Sequence, residues 1–355
     1  MQTLAQFLKE ARINKNMMVR EVAAALQIDQ ALVSKFESGA RKPTRKQLQQ
    51  LAVILSVNES QLNILYLSSK ILYELAHEED AFEVLKAAED QLRFLTNSLK
   101  EATNQDDELS SIISALDRAK EQLHQFRELD SYRIAQALEL EYTYESNRIE
   151  GNTLTLRETD LVINEGLTIS GKSMKEHLEA INHAEAVELV KNLVQNKTPF
   201  NERVLLQLHH LILKSIDANN AGKYRSVQVM IKGSKHLPPQ PYLVAKQMED
   251  YFIWYQKNKK TMHPVLLAAE MHERLVTIHP FIDGNGRTSR LVMNLILLQH
   301  GFVIANIKGD NSNRMAYYET LEHAQTEHSK LKFLKFVAQS ELDSLNHYLK
   351  IVGSK

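Results

Sequence analysis

The sequence predicts a mainly α-helical protein of two or three domains. The chain has 355 residues, which is long for one ordinary small domain. It contains 11 glycines and 7 prolines, and apolar residues recur at helical spacing along most of its length. Its hydrophobic fraction of 43% is ordinary for a globular protein. We divide the chain into segments 1–66, 67–130, 131–195 and 196–355.

Composition excludes several classes of protein. The chain has no cysteine, so it contains neither disulfides nor thiolate metal sites. Its N-terminus lacks the apolar core of a signal peptide, and no apolar run approaches membrane-spanning length. We therefore expect a cytoplasmic protein with no membrane partner. Because the net charge is −1, any binding to nucleic acid has to come from a local basic patch.

Such a patch occurs in segment 1–66, where the apolar pattern predicts five short helices. Asp29 is placed to cap a helix from Gln30 to Ser38, and Gly39 ends that helix. Between positions 35 and 46 there is one acidic residue, Glu37, and the basic residues are Lys35, Arg41, Lys42, Arg45 and Lys46. This basic edge on a nearly neutral chain predicts contact with DNA.

The same segment resembles the helix-turn-helix domain of phage-repressor-like regulators. The matching residues are Glu21 to Ala23, Leu26, Val33 to Gly39, Arg41 to Pro43 and Leu48 to Ala52. The resemblance implies that the helix from Gln30 to Ser38 enters the major groove. It implies that Gln30, Ala31 and Ser34 face bases and that Arg41 and Lys42 contact phosphates.

Two positions depart from that family. Val19 stands where a phosphate-binding glutamine is usual, and Gln27 stands where a glycine is usual. The first departure puts one phosphate contact in doubt, and the second strains the turn. The alternative is a helical bundle kept for protein–protein contact. Domains of this family normally bind DNA as dimers.

Segment 67–130 carries no recognisable chemistry. Leu85, Leu92 and Leu99 recur every seven residues, which is the spacing of a coiled-coil seam. A second amphipathic stripe consists of Leu109, Ile113, Leu116, Leu123 and Phe126. We predict a helical hairpin linker that either pairs two subunits in a homodimer or packs on its neighbours.

The stretch from His279 to Arg290 concentrates polar groups between two apolar helices. A helix from Leu266 to Ile278 ends at Pro280, and Asn285 or Gly286 opens the next helix. A Gly-Asn-Gly turn at a helix start lets several backbone N–H groups point at one anion, which the helix dipole also favours. The backbone pattern therefore predicts a phosphate site.

The side chains of this stretch add chemistry to that site. Arg287 and Arg290 lie three positions apart, on one helix face, and each can grip phosphate oxygens bidentately. Asp283 would repel the anion unless a Mg²⁺ ion bridges them. His279 can act as a neutral base at cellular pH. Together these groups predict base-assisted attack on a metal-bound polyphosphate. The alternative is a helix–turn–helix loop with surface charges.

This stretch resembles the signature of Fic-domain enzymes, His-Pro-Phe-x-Asp/Glu-Gly-Asn-Gly-Arg-x-x-Arg, at every position. The resemblance implies a Fic-type helical core and transfer of AMP from ATP to a serine, threonine or tyrosine hydroxyl of a target protein. In the implied roles, His279 is the base, Asp283 holds Mg²⁺, Gly284, Asn285 and Gly286 bind the α-phosphate, Arg287 binds the β-phosphate and Arg290 binds the γ-phosphate.

An upstream stretch, Ser146 to Asn152, reads as a helix end with Gly151 at the stop. Glu150 is unfavourable there with respect to the helix dipole, which indicates a cationic partner elsewhere. The stretch resembles the Ser/Thr-x-x-x-Glu-Gly/Asn motif of Fic proteins with an N-terminal inhibitory helix. The resemblance implies that Ser146 and Glu150 belong to that motif and that Glu150 withholds Arg290 from the γ-phosphate. The alternative is an exposed helix-terminal glutamate.

A second stretch matches a phosphate-binding motif but lacks the structural context that the motif needs. Residues Gly166 to Ser173 match Gly-x4-Gly-Lys-Ser, the P-loop pattern, at every position. A P-loop needs a strand before it and a helix after it, and the residues before this one continue a helical pattern. We interpret it as a loop between two helices.

One segment has strand character. Val227, Val229 and Ile231 alternate with polar residues, and the prolines between positions 238 and 241 end the predicted β-hairpin. By resemblance this hairpin is the Fic flap, in which Val229 and Ile231 would hold the target by strand addition. The alternative is a small hairpin that seals the core.

After the signature, Asn313 to Glu319 resembles a recurring Fic segment beside the nucleoside. Asn313, Tyr317 and Tyr318 are therefore candidates for a nucleoside pocket. His272 lies seven residues before His279, but no third metal ligand stands at a useful spacing, so we interpret His272 as structural.

Three other functions fit the same residues. The site could remove AMP from a modified protein, with Glu150 positioning a water molecule. The chain could be a DNA-binding transcriptional regulator whose Fic domain senses nucleotide. The site could also transfer another group, such as UMP or phosphocholine.

Overall fold

A computed structural model describes residues 3–76, 78, 80–86, 88, 106–126, 132–327 and 329–353. These residues are mostly helical, which confirms the predicted fold class. The helices are α1 (Leu4–Asn14), α2 (Val19–Leu26), α3 (Gln30–Ser38), α4 (Arg45–Leu55), α5 (Glu59–Leu75), α6 (Asp107–Phe126), α7 (Tyr132–Ile149), α8 (Leu156–Asn164), α9 (Met174–Gln195), α10 (Glu202–Leu213), α11 (Pro241–Asn258), α12 (Pro264–Ile278), α13 (Asn285–Gln299), α14 (Asn311–Thr326) and α15 (Leu331–Gly353). No helix in the described ranges is long and apolar enough to cross a membrane.

The chain forms two compact units, Met1–Arg93 (unit 1) and Phe94–Lys355 (unit 2). The division of the chain into four segments stays a prediction. In unit 1 the five predicted helices are present as α1–α5. Their core is apolar and is formed by residues such as Leu8, Val22, Phe36, Leu48 and Leu62.

Local chemistry explains where the helices of unit 1 begin and turn. The Asp29 carboxylate accepts a hydrogen bond from the backbone N–H of Ala31 at 2.6 Å, which caps α3 as predicted. Gln27 adopts φ +54°, so a non-glycine residue occupies the left-handed position that the sequence indicated as strained. The last helix, α5, runs to Leu75 and so passes the predicted boundary at 66.

The predicted linker is described only in part. Most of its first stripe, including Leu92 and Leu99, lies outside the described residues. Its second stripe forms α6, whose Leu109, Leu116 and Leu123 are buried in the core of unit 2.

At the centre of unit 2 lies the helical hairpin of α12 and α13. Nearly every residue from Val265 to Leu275 and from Leu291 to Leu297 is buried, as expected for helices surrounded by protein. Helices α9 and α10 contact α13, and α15 contacts α12. This packing fixes both ends of the connecting loop, which carries the signature.

The P-loop-like stretch is a loop between α8 and α9, as predicted from the sequence. The Lys172 ammonium donates hydrogen bonds to the Thr153 carbonyl at 2.6 Å and to its hydroxyl at 3.0 Å. The lysine therefore braces the chain after α7 and is not presented to a phosphate.

The predicted β-hairpin is not confirmed, because no residue of the described ranges is a strand. We call the irregular segment from Gly222 to Gln240 the flap segment. Its arms are joined by side chains: the Arg225 guanidinium donates to the carbonyls of Val227 and Pro239, and the Gln228 amide donates to that of Pro238 at 2.9 Å. These side-chain hydrogen bonds replace the backbone hydrogen bonds that would join the two strands of a hairpin.

Candidate active site

The loop between α12 and α13 is held by its own polar groups. His279 caps the end of α12 in a left-handed conformation, φ +51°, and its N–H donates to the Leu275 carbonyl at 2.9 Å. The Asn285 amide brackets Phe281, accepting from its N–H at 3.0 Å and donating to its carbonyl at 2.9 Å. Gly284 opens α13 at φ +78°, where a non-glycine residue would be strained. The start of α13 agrees with the prediction.

Arg225 fastens this loop to the flap segment. Its backbone N–H donates to the Pro280 carbonyl at 2.9 Å, and its Nε donates to the His279 carbonyl at 2.8 Å. Its Nη2 donates to the Pro239 carbonyl at 2.6 Å. The residue is buried. One guanidinium thus connects the backbone of His279 to both arms of the flap segment, a role that the sequence pattern did not indicate.

His209, on α10, packs against the loop between α12 and α13. Its ring stacks on Phe281 with centroids 3.6 Å apart. The Gly222 N–H donates to Nδ1 at 2.9 Å, so Nδ1 carries no proton and Nε2–H donates to the Asp283 carbonyl at 3.0 Å. Burial lowers the pKa of His209 to about 4. The neutral ring therefore satisfies both neighbours.

His279 has the proton arrangement of a base. Its Nδ1 lies 3.3 Å from the Val276 carbonyl oxygen, which can only accept, so Nδ1 carries the proton and Nε2 keeps a lone pair. Burial, opposed in part by this hydrogen bond, lowers the pKa of His279 to about 4. The imidazole is therefore neutral at pH 7.

Arg290 is fully enclosed and points at the end of α7. Its Nε donates to the Ser146 hydroxyl at 3.0 Å, and its Nη2 donates to the Ser146 carbonyl at 2.9 Å and to Glu150 Oε1 at 2.7 Å. Burial disfavours the charge on Arg290, but the Glu150 carboxylate, together with Tyr317 and Tyr142, outweighs burial and raises the pKa of the guanidinium above its usual value. Arg290 is therefore a buried cation whose charge is balanced by one carboxylate.

The Glu150 carboxylate also lies against the first turn of α13. A Cβ added to Gly286 would collide with Glu150 Oε1 and come within 3.2 Å of Arg290 Nη1. Only glycine at position 286 leaves this room. The negative group therefore lies at the positive end of α13, where an anion is favoured.

Arg287 is balanced by a different carboxylate. Its Nη1 lies 3.2 Å from Glu179 Oε1, and its Nη2 lies 3.4 Å from Asp283 Oδ1. Glu179 is buried on α9 and also accepts a hydrogen bond from the Asn152 amide at 3.0 Å. The sequence pattern indicated neither Glu179 nor His209 as a functional residue. Their only signal was a polar residue on an otherwise buried helix face.

Asp283 fits a metal ion that binds together with the phosphates of a substrate. Its side chain is 48% exposed, while Oδ1 accepts the Gly284 N–H at 2.6 Å. In the described ranges no cluster of three or more histidine and carboxylate groups could hold a metal without further ligands. One exposed carboxylate beside an anion site fits Mg²⁺, which commonly takes one or two carboxylates together with substrate phosphates.

The three nucleoside candidates lie in different surroundings. Tyr317 is buried, and its hydroxyl lies 3.4 Å from Arg290 Nη1 and 3.0 Å from the Nε2 of His272. It supports Arg290 from within the core, and its place in a nucleoside pocket stays a prediction. The Tyr318 hydroxyl donates to the Ile149 carbonyl at 2.9 Å, beside Glu150. Asn313 is exposed and donates to Asp310 at 2.6 Å. His272 is completely buried, as expected for a structural residue.

Two further sets of residues predicted from the sequence lie on the flap segment and in unit 1. Val229 and Ile231 are half-buried on the flap segment. In unit 1, the exposed face of α3 carries Gln30, Ala31 and Ser34, and Arg41 is exposed after that helix. Lys42 is also exposed, but its ammonium donates to the Ser69 carbonyl at 2.8 Å and lies 5.3 Å from the Tyr73 ring, so it contacts α5. The DNA contacts of these residues stay predictions.

Comparison with known proteins agrees with this geometry. The Fic/DOC family profile matches residues 199–297, and the helix-turn-helix profile matches residues 8–62. The chain is 38% identical over 212 residues to the protein adenylyltransferase Fic of Nematostella vectensis, a match that covers 59% of this chain and 48% of that protein.

Solved structures are also similar. A Fic-domain-containing signaling protein from Bacteroides thetaiotaomicron has 26% identity and a TM-score of 0.58, covering 70% of this chain and 98% of that chain. Fic-1 from C. elegans has 23% identity and a TM-score of 0.61, covering 95% and 97% of the two chains, a likeness that shows the fold alone.

The chain therefore carries a Fic domain that contains the signature, and a helix-turn-helix domain precedes it. The curated relatives that it resembles bear the name protein adenylyltransferase Fic. The chain spans about half the length of these relatives.

Proposed function

We propose that this protein transfers AMP from ATP to a hydroxyl of a target protein, itself included, and that Glu150 holds the activity in check. One observation carries the proposal. The Glu150 carboxylate lies 2.7 Å from the buried Arg290, at the N-terminus of α13. A negative group already fills the place where the signature would bind a phosphate.

In the proposed reaction, the neutral His279 takes the proton of a serine, threonine or tyrosine hydroxyl on Nε2. The hydroxyl oxygen forms a bond to the α-phosphorus of ATP while the bond from that phosphorus to the bridging oxygen breaks. Pyrophosphate leaves, and AMP stays on the target. Because burial keeps the pKa of His279 at about 4, the base is available at cellular pH without prior deprotonation.

The other groups bind and orient the nucleotide. The N–H groups of the first turn of α13 stabilise negative charge at the α-phosphate. Arg287 faces the β-phosphate, and Arg290 faces the γ-phosphate once Glu150 has left. Asp283 would hold Mg²⁺, which neutralises phosphate charge when it is bound. His209 and Arg225 hold the loop that carries these groups.

Replacement of Glu150 tests the inhibitory contact. We expect Glu150→Gly to raise self-modification at least tenfold, because Arg290 is then free for the γ-phosphate and each 1.4 kcal/mol of relieved competition is about a factor of ten. The measurement is incorporation of label from ATP labelled on the α-phosphate, followed by intact mass. Glu165→Gly is the matched control, since it removes an exposed glutamate at the end of α8.

The His279→Ala variant completes the test. Label in Glu150→Gly that disappears when His279→Ala is added supports an adenylyltransferase restrained by α7. Equal labelling of wild type and Glu150→Gly contradicts the inhibitory role. Absence of label in all variants contradicts AMP transfer and favours AMP removal, transfer of another group or nucleotide sensing.

The helix-turn-helix domain favours a second activity. We propose that unit 1 binds DNA, because α3 exposes Gln30, Ala31 and Ser34 beside the exposed Arg41. Affinity for a DNA duplex that decreases steeply with salt concentration would support this activity, and affinity that does not respond to salt would exclude it.

A further inference from the structure

Unit 2 contains a cavity of about 820 Å³ on the side of α7 that carries Leu138 and Glu141. Its other walls come from α6, α9, α13, α14, α15 and the segment from Phe302 to Lys308. The volume lies in the range of small-molecule sites. None of the residues of the signature lines it.

The lining has an apolar floor and an acceptor-rich rim. The floor includes Leu138, Leu298, Phe302 and Phe336. The rim carries the carboxylates of Glu139, Glu141 and Asp343 beside the Lys308 ammonium and the His347 ring. Glu139 is paired with Lys191 at 3.1 Å, and Asp343 is exposed. The Oδ1 atom of Asn306 is buried at this wall without a hydrogen-bond partner. Acceptors next to an apolar floor favour a ligand that has an apolar body and N–H donors.

The same rim fastens α7 to the rest of the unit. The Lys308 ammonium lies 2.5 Å from Glu141 Oε1, and the Gly309 N–H donates to Glu145 Oε2 at 2.8 Å. The backbone passes so close to α7 here that a Cβ on Gly309 would come within 2.9 Å of the Glu145 carbonyl. Glu141 and Glu145 are one helical turn apart, on the helix that ends at Ile149, directly before Glu150.

We propose that this cavity is a regulatory site for an amphipathic amine. The ammonium group pairs with Glu141 in place of Lys308 and donates to Asn306, and the apolar body fills the floor. Loss of the Lys308 contact releases the connection between α7 and Gly309, and Glu150 then leaves Arg290. The effect on activity rests on the proposed inhibitory function, whereas binding and release of α7 do not.

The experiment compares two probes that differ in charge, 2-phenylethylamine and 3-phenylpropanoate, on the full-length protein. Binding is measured by saturation-transfer NMR, and release of α7 is measured by hydrogen exchange of residues 141–149. We expect the amine to bind and to accelerate exchange in α7 severalfold. The carboxylate should bind at least tenfold more weakly, because the rim repels it.

Variants locate the site. Leu138→Trp fills the floor and should abolish amine binding, and a thermal melt checks that it folds. Asp343→Asn removes an exposed rim charge and should weaken amine binding severalfold. Glu141→Gln should accelerate exchange in α7 without any ligand and should make it insensitive to the amine.

Activity gives an independent readout. The amine should raise self-modification of wild type about three- to tenfold and should leave Glu150→Gly unchanged, since Glu150 is already absent there. Equal binding of both probes, or binding that survives in a folded Leu138→Trp, overturns the site. Binding without faster exchange in α7 overturns the regulatory role. If the amine accelerates exchange in α7 but no variant modifies itself, the regulatory site is supported and the proposed transfer activity is contradicted.

Discussion

At the scale of single residues, Arg225 is the side chain on which the position of His279 depends. His279 has a left-handed backbone, which is uncommon for a residue other than glycine and has to be held by its surroundings. Arg225 supplies part of that support, because its guanidinium donates to the His279 carbonyl and, in the same fork, to the carbonyls of Val227 and Pro239. Lysine cannot reproduce this fork, because its ammonium is a point charge on a flexible stem.

We therefore expect Arg225→Lys to reduce self-modification at least tenfold in the Glu150→Gly background. Carbonyls left without donors should also lower the free energy of unfolding by about 1–3 kcal/mol. Label incorporation and urea denaturation measure the two effects. Arg203→Lys, an exposed position on α10, is the control. Full activity of Arg225→Lys would show that the flap segment is positioned without the guanidinium.

Residue identity could be predicted from sequence where the relevant groups are neighbours along the chain. His279, Asp283 and the Gly-Asn-Gly turn lie within one loop, so their spacing alone indicated an anion site. Glu179, His209 and Arg225 come from α9, α10 and the flap segment, and only packing brings them to the loop. A polar residue on an apolar helix face shows that a partner exists but does not say which residue it is.

At the scale of elements, the helices could be predicted and the flap segment could not. A buried helix keeps its 3.6-residue pattern over many turns, as α12 and α13 do. The strand prediction relied on three alternating apolar residues, and Val227 is in fact 52% exposed. Arg225 and Gln228 satisfy the carbonyls that a strand partner would otherwise satisfy.

The helix-turn-helix element allows a sharp prediction, because two adjacent basic residues differ in their contacts. Arg41 is exposed, whereas the Lys42 ammonium is bound to α5. The salt dependence of duplex binding is the slope of log Kd plotted against the logarithm of salt concentration. We expect Arg41→Ala to reduce this slope by about one per chain. Lys42→Ala should leave that slope unchanged. Fluorescence anisotropy of a labelled duplex measures both, and an equal change of slope in both variants would contradict this assignment of Lys42.

At the scale of the whole molecule, buried histidines make unit 2 sensitive to acid. Burial lowers the pKa of His209 and of His279 to about 4, and it places the pKa values of His183 and His272 well below their usual range. All four rings are neutral in the folded protein at pH 7. In the unfolded chain they take up protons near pH 6.5.

The sign of the effect follows from this difference. A histidine whose folded pKa is lowered contributes stability that is present above about pH 6.5 and is lost as the pH falls toward its folded pKa. Each such ring lowers the free energy of unfolding by up to about 1.4 kcal/mol per pH unit in this window. Glu341 acts in the opposite direction, since burial raises its pKa well above the usual value and acid relieves its burial cost.

A pair of adjacent histidines on α10 isolates the contribution of one ring. His209 is buried between Gly222 and Asp283, whereas His210 is exposed. We expect His209→Gln to be less stable than wild type at pH 7. It should also lose less stability between pH 6.5 and pH 4.5, because the unfolded variant has one histidine fewer to take up a proton. His210→Gln should follow the wild-type profile. Urea denaturation across this range, monitored by circular dichroism, measures the slopes. A slope for His209→Gln equal to that of wild type would mean that this ring titrates in the folded protein as it does in the unfolded chain, which contradicts the lowered pKa.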